Sequence, residues 1–329
     1  MSARFTLACG ALAAVILAAT ASDQWPSDQW PSPVPDPLAV VSGSTANARS
    51  TVDAPAESDC NPQNRRTSLR PQGPLPAPGQ MPAGSTMARI TERGHLIVGI
   101  GTDAYPLAFN DRDRELAGFD IDIVRDIAEA ITGDRERVVF RPHTAAERLE
   151  PLQSGEVDLV VAAVTVTCSR REQVDFSAVY YEAKQRVLVN RGSGITGLED
   201  LRGKQVCAAR GTTSLRTILG HPSTPIPIGE PTPSDCLMLL QLGEVDAVSS
   251  DDTQLAGMAE QDPRTEIVGP PLSEEPYAIG ISKDNPDLVR FVNGVLERRA
   301  EDGRWLASYQ LWLADLGPPP APPTPQYRD

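Results

Sequence analysis

Three groups of residues in this chain have the types and spacing to grip a small charged molecule. Arg170, shortly after Thr165 and Thr167, can fork two parallel N–H bonds onto a carboxylate, a geometry that lysine cannot copy. The run Arg210-Gly211-Thr212-Thr213-Ser214 follows the apolar stretch QVCAA and opens a helical pattern. The N–H groups at such a helix start, with its positive dipole end, suit an anion. Asp251 stands just beyond a second apolar run, where an acid could receive a cation. A bidentate cation, backbone donors and an acidic acceptor together complement a zwitterion such as an α-amino acid. Taken singly each has a plainer reading, as a charged loop residue or a helix cap; their joint placement carries the argument. The chemistry is recognition without reaction. His95, His143 and His221 are the only histidines, none stands beside a Ser or Cys nucleophile signature, and no Cys/His spacing suits a metal. No enzyme activity, cofactor or metal is expected.

The elements that must position these groups alternate. His95–Ile100 reads as strand, Phe119–Ile131 as helix, Arg137–Phe140 as strand, Ala145–Gln153 as helix and Val157–Val164 as strand. The pattern resumes with strand Gln205–Ala208, helices Thr213–Leu219 and Asp235–Leu242, and strand Val245–Val248. Leu288–Ala300 and Trp305–Leu316 read as closing amphipathic helices. This alternation predicts parallel α/β sheets. An internal echo divides them in two: LQSGEVDLVV at 152–161 and LQLGEVDAVS at 240–249 agree at seven of ten positions. Two lobes of similar plan follow, each with a helix turning through Gly into a buried strand. The strand ends, Thr165-Val166-Thr167 and Ser249 to Asp252, should point at a crevice.

Outside this core the composition changes. Phe5–Ala21 is uncharged, follows Arg4 and ends in a small-residue pattern, as a secretory signal or a short membrane anchor does. Cys9 precedes most of that run, where a lipid-modified cysteine should follow it. Residues 22–87 hold twelve prolines and a doubled SDQWP unit, the composition of a disordered tether. The tail 317–329 is again proline-rich and expected to be extended and exposed. A net charge of −14 argues against a nucleic-acid partner. Export leaves Cys60, Cys168, Cys207 and Cys236 in an oxidising compartment, where four cysteines allow three connectivities. The favoured pairs are Cys207 with Cys236, which share one later block, and Cys60 with Cys168; free buried thiols are the alternative.

The stretches GHLIVGIGTDAYPLAFND, LAGFDIDIVRDIAEAI, VDLVVAAVTVTCSRREQVDFSAVYY, RGTTS and DAVSSDD resemble the extracellular solute-binding proteins of family 3, which serve polar amino-acid ABC transporters. The resemblance covers roughly residues 90 to 316, and the cysteine pairs, the AAER segment and the tail look most like the actinobacterial glutamate/glutamine-binding branch. It implies a two-lobed periplasmic-binding-protein-like fold of type II, with lobe 1 formed by 88–184 and 280–316 and lobe 2 by 185–279, a hinge crossed twice near 182–186 and 275–278, and an interlobe cleft. It also implies that Thr165 and Arg170 hold an α-carboxylate with the N–H groups of Thr212 and Thr213. Asp251 and the carbonyl of Ala163 would take the α-ammonium, and Arg148 would meet a side-chain carboxylate. Where family members sandwich the ligand between aromatics, this chain offers Tyr105 and, at the second position, only Ala145. The implied function is capture of glutamate or aspartate, with glutamine and asparagine as further ligands, for an ABC permease. A membrane sensor reading amino-acid level is the alternative partner. Either way the protein is expected to be a monomer at the outer face of the membrane, secreted or tethered.

Overall fold

The structure, a computed structural model, describes residues 64–329. The apolar segment Phe5–Ala21, the SDQWP repeat, the tether as far as residue 63, and Cys60 with its favoured pairing lie outside the described residues. Cys168 is itself disulfide-bonded.

The first lobe opens with α1 (Thr86–Arg93), capped by the Ser85 hydroxyl and closed by left-handed Gly94. There follow β1 (Leu96–Ile100), a small antiparallel sheet of β2 (Asp103–Ala104), β3 (Ala108–Asn110) and β4 (Leu116–Ala117), then α2 (Phe119–Thr132), β5 (Val138–Pro142), α3 (Glu150–Ser154), β6 (Leu159–Val160), α4 (Cys168–Gln173) and β7 (Asp175–Phe176). The chain leaves along β8 (Tyr181–Asn190) and builds the second lobe from β9 (Gln205–Ala209), α5 (Thr213–Gly220), β10 (Ile226–Glu230), α6 (Pro233–Leu242), β11 (Ala247–Asp251) and α7 (Asp252–Gln261). It returns along β12 (Thr265–Tyr277) and finishes the first lobe with β13 (Gly280–Ile281), α8 (Pro286–Glu301) and α9 (Arg304–Trp312).

The two sheets run β5-β1-β6-β13-β7 and β10-β9-β11-β8-β12. They are mixed, which corrects the expectation of parallel sheets. β1 pairs in parallel with β5 and β6, and β9 with β10 and β11, but β8, β12 and β13 run antiparallel to their neighbours. The antiparallel members are the segments that cross between lobes or follow the return. Pro227 lies in β10 at a sheet edge, where a missing N–H is tolerated. The first core gathers the inner face of α2, with Ile121, Val124, Ile127 and Ile131 fully buried, against Val98, Ile100, Leu288 and Val292. Each such side chain contributes about 2 kcal/mol by removal from water.

The echo is a shared local construction. α3 and α6 both end on left-handed glycines, Gly155 and Gly243. Three residues later Asp158 and Asp246 each accept from the neighbouring parallel strand, β1 and β9, at Ile97 N and Gln205 N, both 2.8 Å. Each also pairs with a cation, Arg93 and Lys204. One acid thus ties a parallel strand pair together in both lobes.

Three expectations change. The helix read over Ala145–Gln153 begins only at Glu150, because Pro151 sits in its first turn and residues before it form turns around the Thr144 carbonyl. The strand read over Val157–Val164 is confined to Leu159–Val160, since Ala163 adopts φ +49° and leaves the pleat. The tether read to residue 87 is docked from residue 64 onward. Asn293 donates to the Ser68 hydroxyl and the Leu69 carbonyl, Arg171 donates to the Arg65 and Thr67 carbonyls, and Ser68 bridges Tyr327 of the tail. The tail is pinned as well: Tyr327 donates to Glu297, Asp329 pairs with Arg290, and Arg70 stacks on the Tyr327 ring. Proline content reads as disorder only while no partner segment is visible, and here the two proline-rich segments bind each other.

Cys207 of β9 and Cys236 of α6 are bonded, closing a loop whose ends are 29 residues apart. Loop-closure entropy for that separation is about 3 to 4 kcal/mol. Replacing both by Ala should lower the unfolding free energy of the chain by about that amount in urea titration.

Candidate functional site

The crossing between lobes is a two-stranded ribbon in which Tyr181–Gln185 of β8 pair with Ser273–Tyr277 of β12. Above it the lobes meet. A Cβ on Gly211 would fall 2.5 Å from the Ala146 Cα, and one on Gly257 would fall 2.2 Å from the Tyr105 carbonyl oxygen. Gly211 also has φ +76°, so its lack of a side chain serves both the turn and the approach. Arg170 of the first lobe donates from Nη2 to the Gly211 carbonyl of the second at 2.9 Å. The arrangement is a closed one. Between the lobes lies a cavity of about 470 Å³, lined from the first lobe by residues that include Ala104, Asp120, His143, Arg148 and Ala163, and from the second by Pro231–Ser234 and Gln254.

Of the residues singled out in the sequence, Arg148 and Ala163 line this cavity; Arg170 lines a separate recess with Ala146, Gly211 and Arg216, and Thr165, Thr212, Thr213 and Asp251 are buried or half-buried behind these walls. Arg170, 6% exposed, follows Thr167, the cap of α4; its Nη1 donates to the Thr165 carbonyl at 2.7 Å. Arg148, also 6% exposed, donates from Nη1 to the Ala162 carbonyl at 2.7 Å, while its Nε has no hydrogen-bond partner among the described residues. Thr212 caps α5, with its hydroxyl donating to Ala209 O and accepting from Leu215 N. The Thr213 hydroxyl donates to Glu275 at 2.7 Å. Both hydroxyls are therefore spent on the fold, and what this helix start has left to offer is backbone N–H. Asp251 stands at the N-cap position of α7 but makes no capping bond, which removes its plainer reading. Its Oδ2 accepts from the Tyr277 hydroxyl at 2.6 Å, and its buried Oδ1 has no partner among the described residues.

Tyr105 goes elsewhere. Its hydroxyl donates to Glu260 of α7 at 2.7 Å and its ring packs edge-on against Phe109, so it joins the lobes outside the cavity lining. The neighbouring Ala104 lines the cavity instead, as does Ala145, and among the described residues no Phe, Tyr or Trp lines it. Ala104 ends β2 and Tyr105 begins the turn that follows, and this one-residue offset decides which side chain faces the cavity.

Other buried polar groups around the closure carry at most a faint mark in the sequence. Asp120, fully buried, accepts from Ala163 N at 3.0 Å and from the Tyr180 hydroxyl at 2.9 Å. It thereby holds Ala163 in a left-handed conformation that alanine rarely adopts. Its signal was present in GFDIDI, where an acid opens a helix whose neighbours are apolar and buried. Glu275 and Tyr277 are 2% and 0% exposed on β12, and nothing in their local sequence sets them apart.

The charges explain the closure's demand. Burial, then the neighbouring cations Arg148 and Arg216, push Arg170 well below the usual arginine range. Burial lowers Arg148 too, with Asp251 the largest opposing influence. Burial and then Glu275 push the Asp251 carboxyl up to about 7, and burial pushes Asp120 up to about 6 against the hydrogen bond from Tyr180. Two buried guanidiniums that repel each other, beside a carboxyl that resists ionisation, form a site suited to a partner carrying both charge signs.

An ABC transporter glutamine-binding protein of Bacillus subtilis is 34% identical over 232 residues, covering 70% of this chain and 85% of that protein. A glutamate-binding protein of Corynebacterium efficiens is 30% identical over 254 residues, covering 73% and 85%. Among solved structures, an ancestral arginine-binding protein bound to glutamine superposes with a TM-score of 0.63 at 36% identity, covering 67% of this chain and 98% of that one. The match of residues 96–315 to the model of its family spans β1 through the end of α9, both lobes and the crossing between them, and the chain belongs to the bacterial extracellular solute-binding proteins, family 3.

Proposed function

We propose that this protein captures a polar α-amino acid outside the cytoplasmic membrane, glutamate or aspartate ahead of glutamine and asparagine, and presents it to an ABC permease. The observation that carries the reading is the pair of buried guanidiniums, Arg148 and Arg170, with the unpartnered Asp251 oxygen beside them. Arg170, Thr165 and the N–H groups of Thr212 and Thr213 take the α-carboxylate. Asp251 and the Ala163 carbonyl take the ammonium. Arg148, on the cavity wall with its Nε unspent, takes the second carboxylate. The glutamate- and glutamine-binding relatives support this ligand class. An exported location follows from the apolar segment at 5–21 and from the family; among the described residues no helix is long and apolar enough to cross a membrane.

Ligand supplies contacts that only the closed form offers, since its carboxylate touches Arg170 of one lobe and the α5 start of the other; that difference between states is what drives closure. Calorimetric titration tests the assignment. Arg170→Ala should abolish binding, and Arg170→Lys should fail to restore it because the fork is lost. Hydrogen bonds to charged groups are worth about 1.5 to 3 kcal/mol, so Arg148→Ala should weaken L-glutamate and L-aspartate by roughly tenfold or more, with a smaller loss for L-glutamine and L-asparagine. Equal losses for acids and amides would remove the acidic preference.

The Asp251 carboxyl sets a pH dependence. With its folded pKa raised to about 7 above an unfolded value of about 4, the ligand-free fold holds more protons than the unfolded chain between those limits. Its stability therefore falls as pH rises through that window. Asp251→Asn should raise the ligand-free melting temperature more at pH 8 than at pH 5, read by differential scanning fluorimetry. An ammonium needs the ionised acid, so affinity for L-glutamate should weaken below pH 7, approaching roughly tenfold per unit.

A further inference from the structure

Arg66 lies across both strands that carry the chain between the lobes. Its Nη1 donates to Glu182 of β8 at 2.7 Å and its Nη2 to Glu274 of β12 at 2.6 Å. In the ribbon Glu182 faces Pro276 and Glu274 faces Lys184, so the two carboxylates are diagonal neighbours, within reach of one long side chain. The guanidinium that joins them is only 22% exposed at its side chain. The segment behind it is fixed to the first lobe. Arg171 holds the carbonyls on either side of Arg66, and the Ser68 hydroxyl donates to the Phe176 carbonyl at 2.7 Å. Glu275, next along β12, turns to the opposite side of the strand, where it accepts from Thr213 at the α5 start. Consecutive residues of one crossing strand are thus gripped from outside by the incoming segment and from inside by the ligand-side helix.

Closure of lobes joined by such a ribbon proceeds through a change in its twist, which shortens one diagonal between strands and lengthens the other. A guanidinium engaged at both nitrogens fits one value of that diagonal. Without it, Glu182 and Glu274 are two like charges side by side, and their repulsion favours a longer one. We propose that Arg66 is a positioning residue for ligand capture: it holds the ribbon at the twist of the closed arrangement, so that the segment entering the first lobe straps the hinge and sets how readily the cleft closes. The strap does not depend on which amino acid is bound; the reading above supplies only the probe.

The test uses the full chain with spin labels at exposed positions 156 and 244, one in each lobe, and L-glutamate as ligand. Two partly exposed ion pairs made only in the closed form predict that Arg66→Ala raises the Kd roughly fivefold and lengthens the label-to-label distance in the ligand-free chain. Arg66→Lys, which reaches one carboxylate at a time, should restore only part of either effect. In a Glu182→Gln/Glu274→Gln background, Arg66→Ala should change neither quantity further. An unchanged distance distribution in Arg66→Ala overturns the proposal. So does an undiminished effect of Arg66→Ala in the double-Gln background, which would mean that the arginine acts by docking residues 64–71. If the parent chain does not take up L-glutamate, the acidic-ligand reading fails, and the ligand-free distances still decide the strap.

Discussion

Two like charges buried beside each other at the meeting of two lobes are the constraint around which this molecule is arranged. Arg148 and Arg170 are withdrawn from water to the same degree, and neither has a carboxylate bonded to it among the described residues. Backbone carbonyls of Ala162, Thr165 and Gly211 take up part of their hydrogen-bonding capacity, but a carbonyl brings no net charge. Burying cations on such terms costs several kcal/mol each, a cost that a compact core must meet from elsewhere. The tightly packed α2–α8 layer and the disulfide between β9 and α6 are the places where this fold holds stability in reserve.

The acids around the two arginines are set so as not to cancel them. Asp120 is occupied by a backbone N–H and a tyrosine, and Asp251 by another tyrosine. Glu275 is held by hydroxyls of Thr213 and Ser273. Each acid is anchored through neutral donors at a fixed place, which preserves a separated pattern of positive and negative sites. Had any of them closed onto an arginine, the site would be satisfied without a ligand. Tyrosines and threonines at these positions therefore do work that no inspection of charged residues alone would reveal.

What the sequence disclosed follows from how local each signal is. The meeting of Arg170 with the turn that opens α5 was legible because strand ends in α/β sheets converge on a crevice; the ligand roles given to Arg170, Thr212, Thr213 and Asp251 remain a proposal from their chemistry. The repeated GEVD segment gave two lobes because its glycine and its aspartate act within a few residues of themselves. Strands β8 and β12 were not legible: their pairing runs from Thr265 with Asn190 to Tyr277 with Tyr181, far apart along the chain, and β12 contains prolines that argue against a strand when read alone. Tyr105 lies outside the cavity lining and Ala104 inside it, a one-residue offset at the start of a turn that no local sequence signal fixes. The docking of residues 64–87 and of the tail was hidden for the same reason as the ribbon, since each segment is held by distant partners, the first by Arg171 and Asn293, the tail by Arg290 and Glu297, and both by each other.

The glycines at 211 and 257 have a consequence for how finely the resting position of the lobes is set. At both, the opposing backbone lies closer than a methyl group would permit, and the nearest opposing atom is a main-chain atom that cannot swing aside. Each glycine is a doorway with no room for a doorstop. Alanine at either position would prop the lobes apart by a fraction of a methyl's width, one against Ala146 and the other against Tyr105, so ajar states are accessible through single methyl groups without changing either buried arginine.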